Sequence, residues 1–336
     1  MILVVTADAD SSADHVSARL RARGAEVQRF NPADYPVRAS LSFALDPQGR
    51  RRILIEDEHR RIDLARVAAV WFRRPGLPRP DPRLADTRLR RYVAEECHAH
   101  LEDVWNALPC PAFPAVPAVM ARAALKLSQL ALAGELGFEL PPTLVTTRPA
   151  ALLDFHRRHD GRVISKVVGP TLGRFYGPEV GRYTEPVTTR DIGYVEAVRF
   201  APAIFQASVD KRVELRITVV GERVFPVEIH SQDAARTRGD WRRYDVGLTP
   251  HRLHALPDAV ACRCVQLVRR LGLAYGAIDM ILTPEGRYVF IEITPNGQFL
   301  WIEQLVHAGI GDAIADHLAA HARAFARRPE TAGAAA

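Results

Sequence analysis

Residues 274–298 read AYGAIDMILTPEGRYVFIEITPNGQ. Two runs rich in β-branched and aromatic residues, AYGAIDMIL and GRYVFIEIT, flank the turn signal TPEG, so the stretch predicts an antiparallel hairpin of two largely buried strands. Each strand carries one acid, Asp279 and Glu292. In a hairpin closed by Thr283 to Arg287 the two positions can face each other across the sheet. Like charges brought together in a buried setting need a cation between them. That cation is either a metal that prefers hard oxygen ligands, Mg²⁺ or Mn²⁺, or one of the chain's plentiful arginines. Asn296, just beyond in TPNGQ, either offers a third, neutral oxygen or simply makes an Asn-Gly turn with Gly297.

Upstream of this hairpin the strands AIFQASV, VELRITVVG and RVFPVEIHS make residues 206–325 strand-rich, with a helix from Pro257 to Leu271 and an arginine-rich loop, RTRGDWRRYD. Residues 118–205 begin with a helix that carries Lys126 and runs to Gly137, followed by the strand PPTLVTT, a helix over 150–159 and the strand RVISKVV with Lys166. Behind Lys166, Gly169, Gly173, Gly177 and Gly181 recur at every fourth residue. Such a run is either a plain hairpin or a glycine lid whose backbone approaches a ligand closely. Residues 1–117 open with a β/α pattern in which ILVVTA is the first strand, then a hairpin of LSFAL and RILIED, the strand VAAVWFR and a long helix near 84–107. The stretch PCPAFPAVP over 109–117 breaks regular structure and marks the boundary. The tail, 326–336, reads as disordered. Neither a G-x-G-x-x-G turn nor a P-loop is present.

Composition narrows the classes further. A chain of 336 residues with 48% hydrophobic and 25% charged residues builds real cores, which excludes a disordered chain, and its length favours two or three domains. No apolar run is long enough to span a bilayer, and the N-terminus lacks the basic region of a secretion signal, so no membrane is involved and the expected compartment is the cytoplasm. Four cysteines are too few for a disulfide scaffold and read as ordinary thiols. The net charge of +6 is spread among acids along the chain, which argues against nucleic acid as partner. Of the 45 basic residues only Lys126, Lys166 and Lys211 are lysines, leaving 45 − 3 = 42 arginines. A chain that uses arginine almost everywhere keeps lysine where a compact ammonium is needed.

Lys126 before GFELPPT, Lys166 before a glycine run, IFQASV with VELR, and AIDMIL with FIEITPNGQ together resemble the ATP-grasp superfamily over roughly 118–320. The chain is then α/β (α+β), an ATP-grasp fold behind an open α/β pre-ATP-grasp domain. WFRRP, RAALKLSQLALAGELGFELPPTLVT, IFQASVDKRVELRITVVG, GDWR and TPNGQFLWIE resemble, within it, the microviridin-type (graspetide) peptide maturases and, less closely, the ribosomal-protein glutamate ligases. The resemblance implies ATP and Mg²⁺ as cofactors, activation of a carboxylate as an acyl phosphate, and a precursor peptide with a leader segment as partner, its Asp or Glu side chains crosslinked to Ser, Thr or Lys. It also implies a homodimer. Lys126, Lys166 and Lys211 would hold phosphates; the main chain of Gln206, Ala207, Ser208 and Val209 would pair with adenine; Glu214 would accept from a ribose hydroxyl. Asp279, Glu292 and Asn296 would hold the metal, and Arg216, with Lys211, would stabilise the charge on the moving phosphoryl group.

Two departures stand out. Thr294 replaces the asparagine of the usual Glu-x-Asn, and Ala277 replaces an arginine common two residues before the first metal acid. Arg73 and Arg74 either grip a substrate carboxylate or the acyl phosphate, or form a surface pair. Arg238, Asp240, Trp241 and Arg242 are either a receiver for an acidic core peptide or an exposed loop. Glu96, His100 and Asp103 fall on one helical face and read as a solvated face rather than metal ligands; Trp301 and Ile302 read as core. The alternatives to a peptide maturase are a ligase for free amino acids or glutamate, and an inactive nucleotide-binding scaffold.

Overall fold

The computed structural model describes residues 1–169, 183–233 and 249–327. Its first part is an open parallel sheet. Strands β1 (Ile2–Val5), β2 (Val27–Phe30), β6 (Ala69–Phe72) and β7 (Ala112–Phe113) run in the order β2-β1-β6-β7, with α1 (Ser11–Ala22) following β1 and α2 (Thr87–Asn106) following β6. Asp10 starts α1 by accepting from the backbone N–H groups of Ser12 and Ala13. A side sheet of β3 (Ala39–Leu45), β4 (Arg51–Asp57) and β5 (Arg61–Asp63) contains the hairpin expected at LSFAL and RILIED. The Pro-rich stretch is more ordered than its composition implies. Ala112 and Phe113 pair in parallel with Val70 and Trp71, and this edge position leaves the flanking prolines no ladder donor to lose.

The expected helix carrying Lys126 is two helices, α3 (Pro117–Ala123) and α4 (Lys126–Glu135), because Leu125 takes an extended conformation between them. Lys126 is therefore the first residue of a new helix. The central antiparallel sheet, ordered β10-β9-β11-β8, contains β8 (Thr143–Thr146), β9 (Val163–Lys166), β10 (Glu185–Pro186) and β11 (Ala203–Ala207), with α5 (Pro149–Arg158) packed on one face and α6 (Thr189–Gly193) beyond β10. Lys166 closes β9 rather than sitting at its middle.

The third sheet decides where chemistry can occur. It runs β14-β13-β12-β15-β16, antiparallel throughout, from β12 (Val213–Val220), β13 (Arg223–Ile229), β14 (His251–Leu253), β15 (Tyr275–Leu282) and β16 (Tyr288–Thr294). The hairpin predicted across TPEG is β15–β16. One face buries Val213, Leu215, Ile217, Met280 and Phe290 against Cys264 and Leu267 of α7 (Asp258–Arg270). On the other face, alternation puts Glu214, Arg216, Thr218 and Val220 in one row. The Val220 end of that face is covered by α8 (Leu300–Val306) and α9 (Ile310–Ala326), in a core shared with Val16 and Leu20 of α1 and Trp71 of β6. Ile302 belongs to this core, whereas Trp301 is half-buried against His251. The Glu214 end of the face is left for a cleft.

Among the described residues no helix is long and apolar enough to cross a membrane, and the four cysteines are free thiols. Leu318, fully buried in the core that joins the first domain to the third sheet, ties the two together. Leu318→Ala should cost about 2–5 kcal/mol in urea denaturation; a loss below about 1 kcal/mol would contradict a packed junction.

Candidate active site

Sheet register builds the centre of the site. Arg216 of β12 pairs with Asp279 of β15, and Asp279 pairs in turn with Glu292 of β16, so three charged side chains stand in a row on one face. The register shifts immediately after Asp279: Met280 pairs with Phe290, and Ile291 is the extra residue of a bulge. A bulge re-aims side chains, and here Ile291 and Glu292, consecutive in sequence, both line the cleft while Phe290 and Ile293 stay in the core behind. Nη1 of Arg216 donates to both Asp279 oxygens at 3.0 and 2.9 Å. Burial disfavours the charge on Arg216, and Asp279 more than offsets this, so the guanidinium is held firmly charged. Glu292 Oε2 lies 3.2 Å from Lys126 Nζ. Each acid thus already has a cation, the arginine partner expected for Asp279 and a lysine for Glu292.

The cleft above this row has a volume of about 280 Å³ and its walls contain all three lysines of the chain. Lys126 begins α4, whose first turn has no side-chain cap, so its uncapped N–H groups and the ammonium favour an anion together. Lys166 comes from the end of β9, and Lys211 donates to Glu214 Oε1 at 2.9 Å. Gln206, Ala207, Ser208 and Val209 form the opposite wall with Pro141 and Ile164.

Two acceptors in this wall are left over. Glu214 Oε2 and Gln206 Oε1 are buried and have no hydrogen-bond partner among the described residues. Buried polar atoms are nearly always paired, so these two acceptors would suit donors brought by a ligand. Their chemistry fits a nucleoside, with sugar hydroxyls and a base amine as the donors. The paired acids and three lysines likewise fit Mg²⁺ and polyphosphate.

Gln129 is a residue that sequence reasoning missed. It is buried, donates to Ala123 O at 2.7 Å and to Ile293 O at 2.8 Å, and accepts from Ile293 N at 3.1 Å. It thereby fixes the break between α3 and α4 and ties Lys126 to the strand that carries Glu292. A polar residue among KLSQLALAG was its only signal.

Asn296 does not join Asp279 and Glu292 in the cleft walls. Its Nδ2 donates to the carbonyls of Phe72 and Arg73, and it lines a second, tighter crevice with Arg73, Tyr275 and Phe299. Arg73 is buried, donates to Gln298 Oε1 at 2.9 Å and Ser12 Oγ at 3.3 Å, and stacks over Phe299; burial pushes its pKa down. Arg74, by contrast, is exposed. Tyr275, its phenol pushed up to about 12 by burial, donates to Gly297 O at 2.8 Å. Thr294 is exposed and pairs with Ala277. His100 bonds Tyr35, and among the described residues no three His, Cys, Asp or Glu gather in metal-ligand geometry. Gly173, Gly177, Gly181, Arg238, Asp240, Trp241, Arg242 and the last residues of the tail lie outside the described residues.

A cleft between two antiparallel sheets, with lysines on both walls and paired acids on a hairpin, is that of an ATP-grasp ligase. Residues 1–119 match the MvdD pre-ATP grasp domain model. The chain is similar to a Chryseobacterium gregarium RiPP-associated ATP-grasp ligase solved with ADP and a leader and core peptide (TM-score 0.87, 29% identity, 95% of this chain and 96% of that one). It is also similar to the Microcystis aeruginosa macrocyclase MdnC bound with precursor peptide MdnA (0.82, 28%, 95% and 99%) and to the macrocyclase MdnB of the same organism (0.76, 30%, 94% and 98%). No curated protein matches. The chain belongs to the microviridin-type, or graspetide, branch of the ATP-grasp ligases.

Gly297 gives a direct check of the packing behind the site. A Cβ there would lie 2.5 Å from Ala277 Cβ and 2.6 Å from Arg216 Nη2. Gly297→Ala should destabilise by about 1–3 kcal/mol and weaken nucleotide binding by displacing Arg216; unchanged melting and affinity would contradict this contact.

Proposed function

We propose that the chain closes rings in a ribosomally made precursor peptide by joining Asp or Glu side chains to Ser or Thr hydroxyls as ω-esters, or to Lys amines as ω-amides. The observation that carries this is the row Arg216–Asp279–Glu292–Lys126 at the floor of a cleft that gathers every lysine of the chain. The relatives solved with leader, core and precursor peptides support a peptide as the substrate.

ATP, bound with Mg²⁺ in the cleft, would pass its γ-phosphoryl group to the peptide carboxylate and leave as ADP; attack of a hydroxyl or amine on that acyl phosphate would then expel inorganic phosphate, so that the peptide ends one water lighter. Asp279 and Glu292 would hold the metal; the role of third ligand would fall to Asn296 or Thr294 only if the 294–298 turn rearranged. Lys126 and Arg216 would exchange their carboxylate partners for phosphate oxygens, and Lys166 and Lys211 would balance the rest of the charge. Glu214 Oε2 accepts from a ribose hydroxyl, and the backbone of 206–209 meets the base edge. Arg216, buried and held charged before reaction, would stabilise the transferring group with no change beyond an exchange of hydrogen-bond partners. A cytoplasmic homodimer that recognises a leader segment, with Arg238, Asp240, Trp241 and Arg242 receiving the core peptide, completes this reading.

The test is peptide-dependent ADP release by the full chain. Asp279→Asn keeps a partner for Arg216 but removes a metal-holding charge, and should abolish release while circular dichroism shows an intact fold; full turnover would refute the metal assignment. Lys166→Ala should weaken ATP binding by about tenfold or more without lowering the melting temperature. Unchanged affinity would remove Lys166 from the site.

A further inference from the structure

Arg73 is an arginine buried at a cost. It directly follows β6 of the first domain and is only 2% exposed. Its Nη2 donates to Ser12 Oγ at 3.3 Å and to Gln298 Oε1 at 2.9 Å, while Nε and Nη1 are buried with no hydrogen-bond partner among the described residues. Burial disfavours its charge, and Asp10, acting without a hydrogen bond, offsets this only in part. An arginine so incompletely paired costs more stability than an apolar side chain of the same length. Packing therefore does not account for it. Arg73 does not line the cleft either, so it meets the reaction only through what it holds.

What it holds is the turn that follows Glu292. Gly297 N donates to Thr294 O at 3.3 Å and closes a β-turn whose second residue, Pro295, has a fixed φ. Three further bonds pin this turn: Asn296 Nδ2 donates to Phe72 O at 3.2 Å, Tyr275 donates to Gly297 O at 2.8 Å, and Gln298 accepts from Arg73. Gly297 in turn limits Arg216, since a Cβ there would lie 2.6 Å from Arg216 Nη2. Nη1 of the same guanidinium donates to both oxygens of Asp279. The Arg216 guanidinium is thus located by Asp279 through Nη1 and by the backbone of the turn at Nη2.

We propose that Arg73 is a positioning residue for Arg216: through Gln298 it fixes the turn against which the Arg216 guanidinium rests, and so aims Arg216 at the γ-phosphoryl group. The proposal rests on the reading of Arg216 as the side chain that meets that group. It goes beyond that reading by placing part of the determinant in the first domain, outside the cleft.

The test is the ratio of the dissociation constant for ADP to that for the β,γ-imido analogue of ATP, each with Mg²⁺, measured by calorimetry on the full chain. Only the analogue carries a γ-phosphoryl group, so the ratio reads the contact made there, and a general loosening of the cleft cancels. Arg73→Met keeps the length without the donors. It should lower the ratio about fivefold or more, the smaller end of coupling between separate positions, without lowering the melting temperature. Gln298→Ala removes the other end of the link at a half-buried residue, should lower the ratio as far, and decides the matter if Arg73→Met fails to fold. The double variant should be no worse than either single one, because both break one link. A wild-type ratio in Gln298→Ala, or losses that add in the double variant, overturns the proposal while leaving Arg216 at the γ-phosphoryl group. A wild-type ratio in Arg216→Lys overturns that reading and the proposal together.

Discussion

Two carboxylates on adjacent strands repel each other, and most of the site exists to hold that arrangement. Asp279 and Glu292 are cross-strand partners, a placement that costs stability when both are charged. Arg216 answers Asp279 from the next strand, and Lys126 answers Glu292 from the start of α4. The two neighbouring acids are therefore flanked by a cation at each end of one line, and each cation is held by its own element: Arg216 by a central strand, Lys126 by Gln129 and the helix break at Leu125. Such a row is stable without a metal, yet it already contains the parts that a divalent ion and a chain of phosphates need. On the proposed function, binding would amount to an exchange of partners within a built frame, with little new ordering to offset.

The first domain contributes to this frame through the 294–298 turn. Asn296 reaches the carbonyls of Phe72 and Arg73, Arg73 reaches Gln298 and Ser12, and Tyr275 holds Gly297 from below. Gly297 leaves room for Arg216, since any side chain there would strike it. The C-terminal ends of β1 and β6 thus face the hairpin that carries the acids, which is the edge of an open α/β sheet where ligand sites form. The pre-ATP-grasp domain thus braces the turn that follows Glu292 without lining the cleft itself.

Much of this was legible in the sequence because it rests on local signals. The TPEG hairpin is set by alternation and turn chemistry, and the three lysines declare themselves against 42 arginines (45 − 3). What escaped were features decided by tertiary contacts. Leu125 breaks a helix with no glycine or proline to announce it, because Gln129 satisfies Ala123 O and Ile293 fixes Gln129. The bulge at Ile291 leaves one trace, Phe290 and Ile293 both in the core at a spacing of three where a regular strand would give two or four. Asn296 looked like a ligand because it follows the acids, and only the docking of the first domain shows where its amide goes. Residues 109–117 read as a break because proline is scored locally, while β7 forms by pairing with a distant strand.

The central claim is that this row of charges makes peptide rings at the expense of ATP. The most direct measurement is the intact mass of a candidate precursor peptide incubated with the full chain, ATP and Mg²⁺, alongside a count of ADP. The account predicts losses in steps of about 18 Da, one ADP for each water lost, as condensation through an acyl phosphate requires. ADP formed with a peptide of unchanged mass would contradict it.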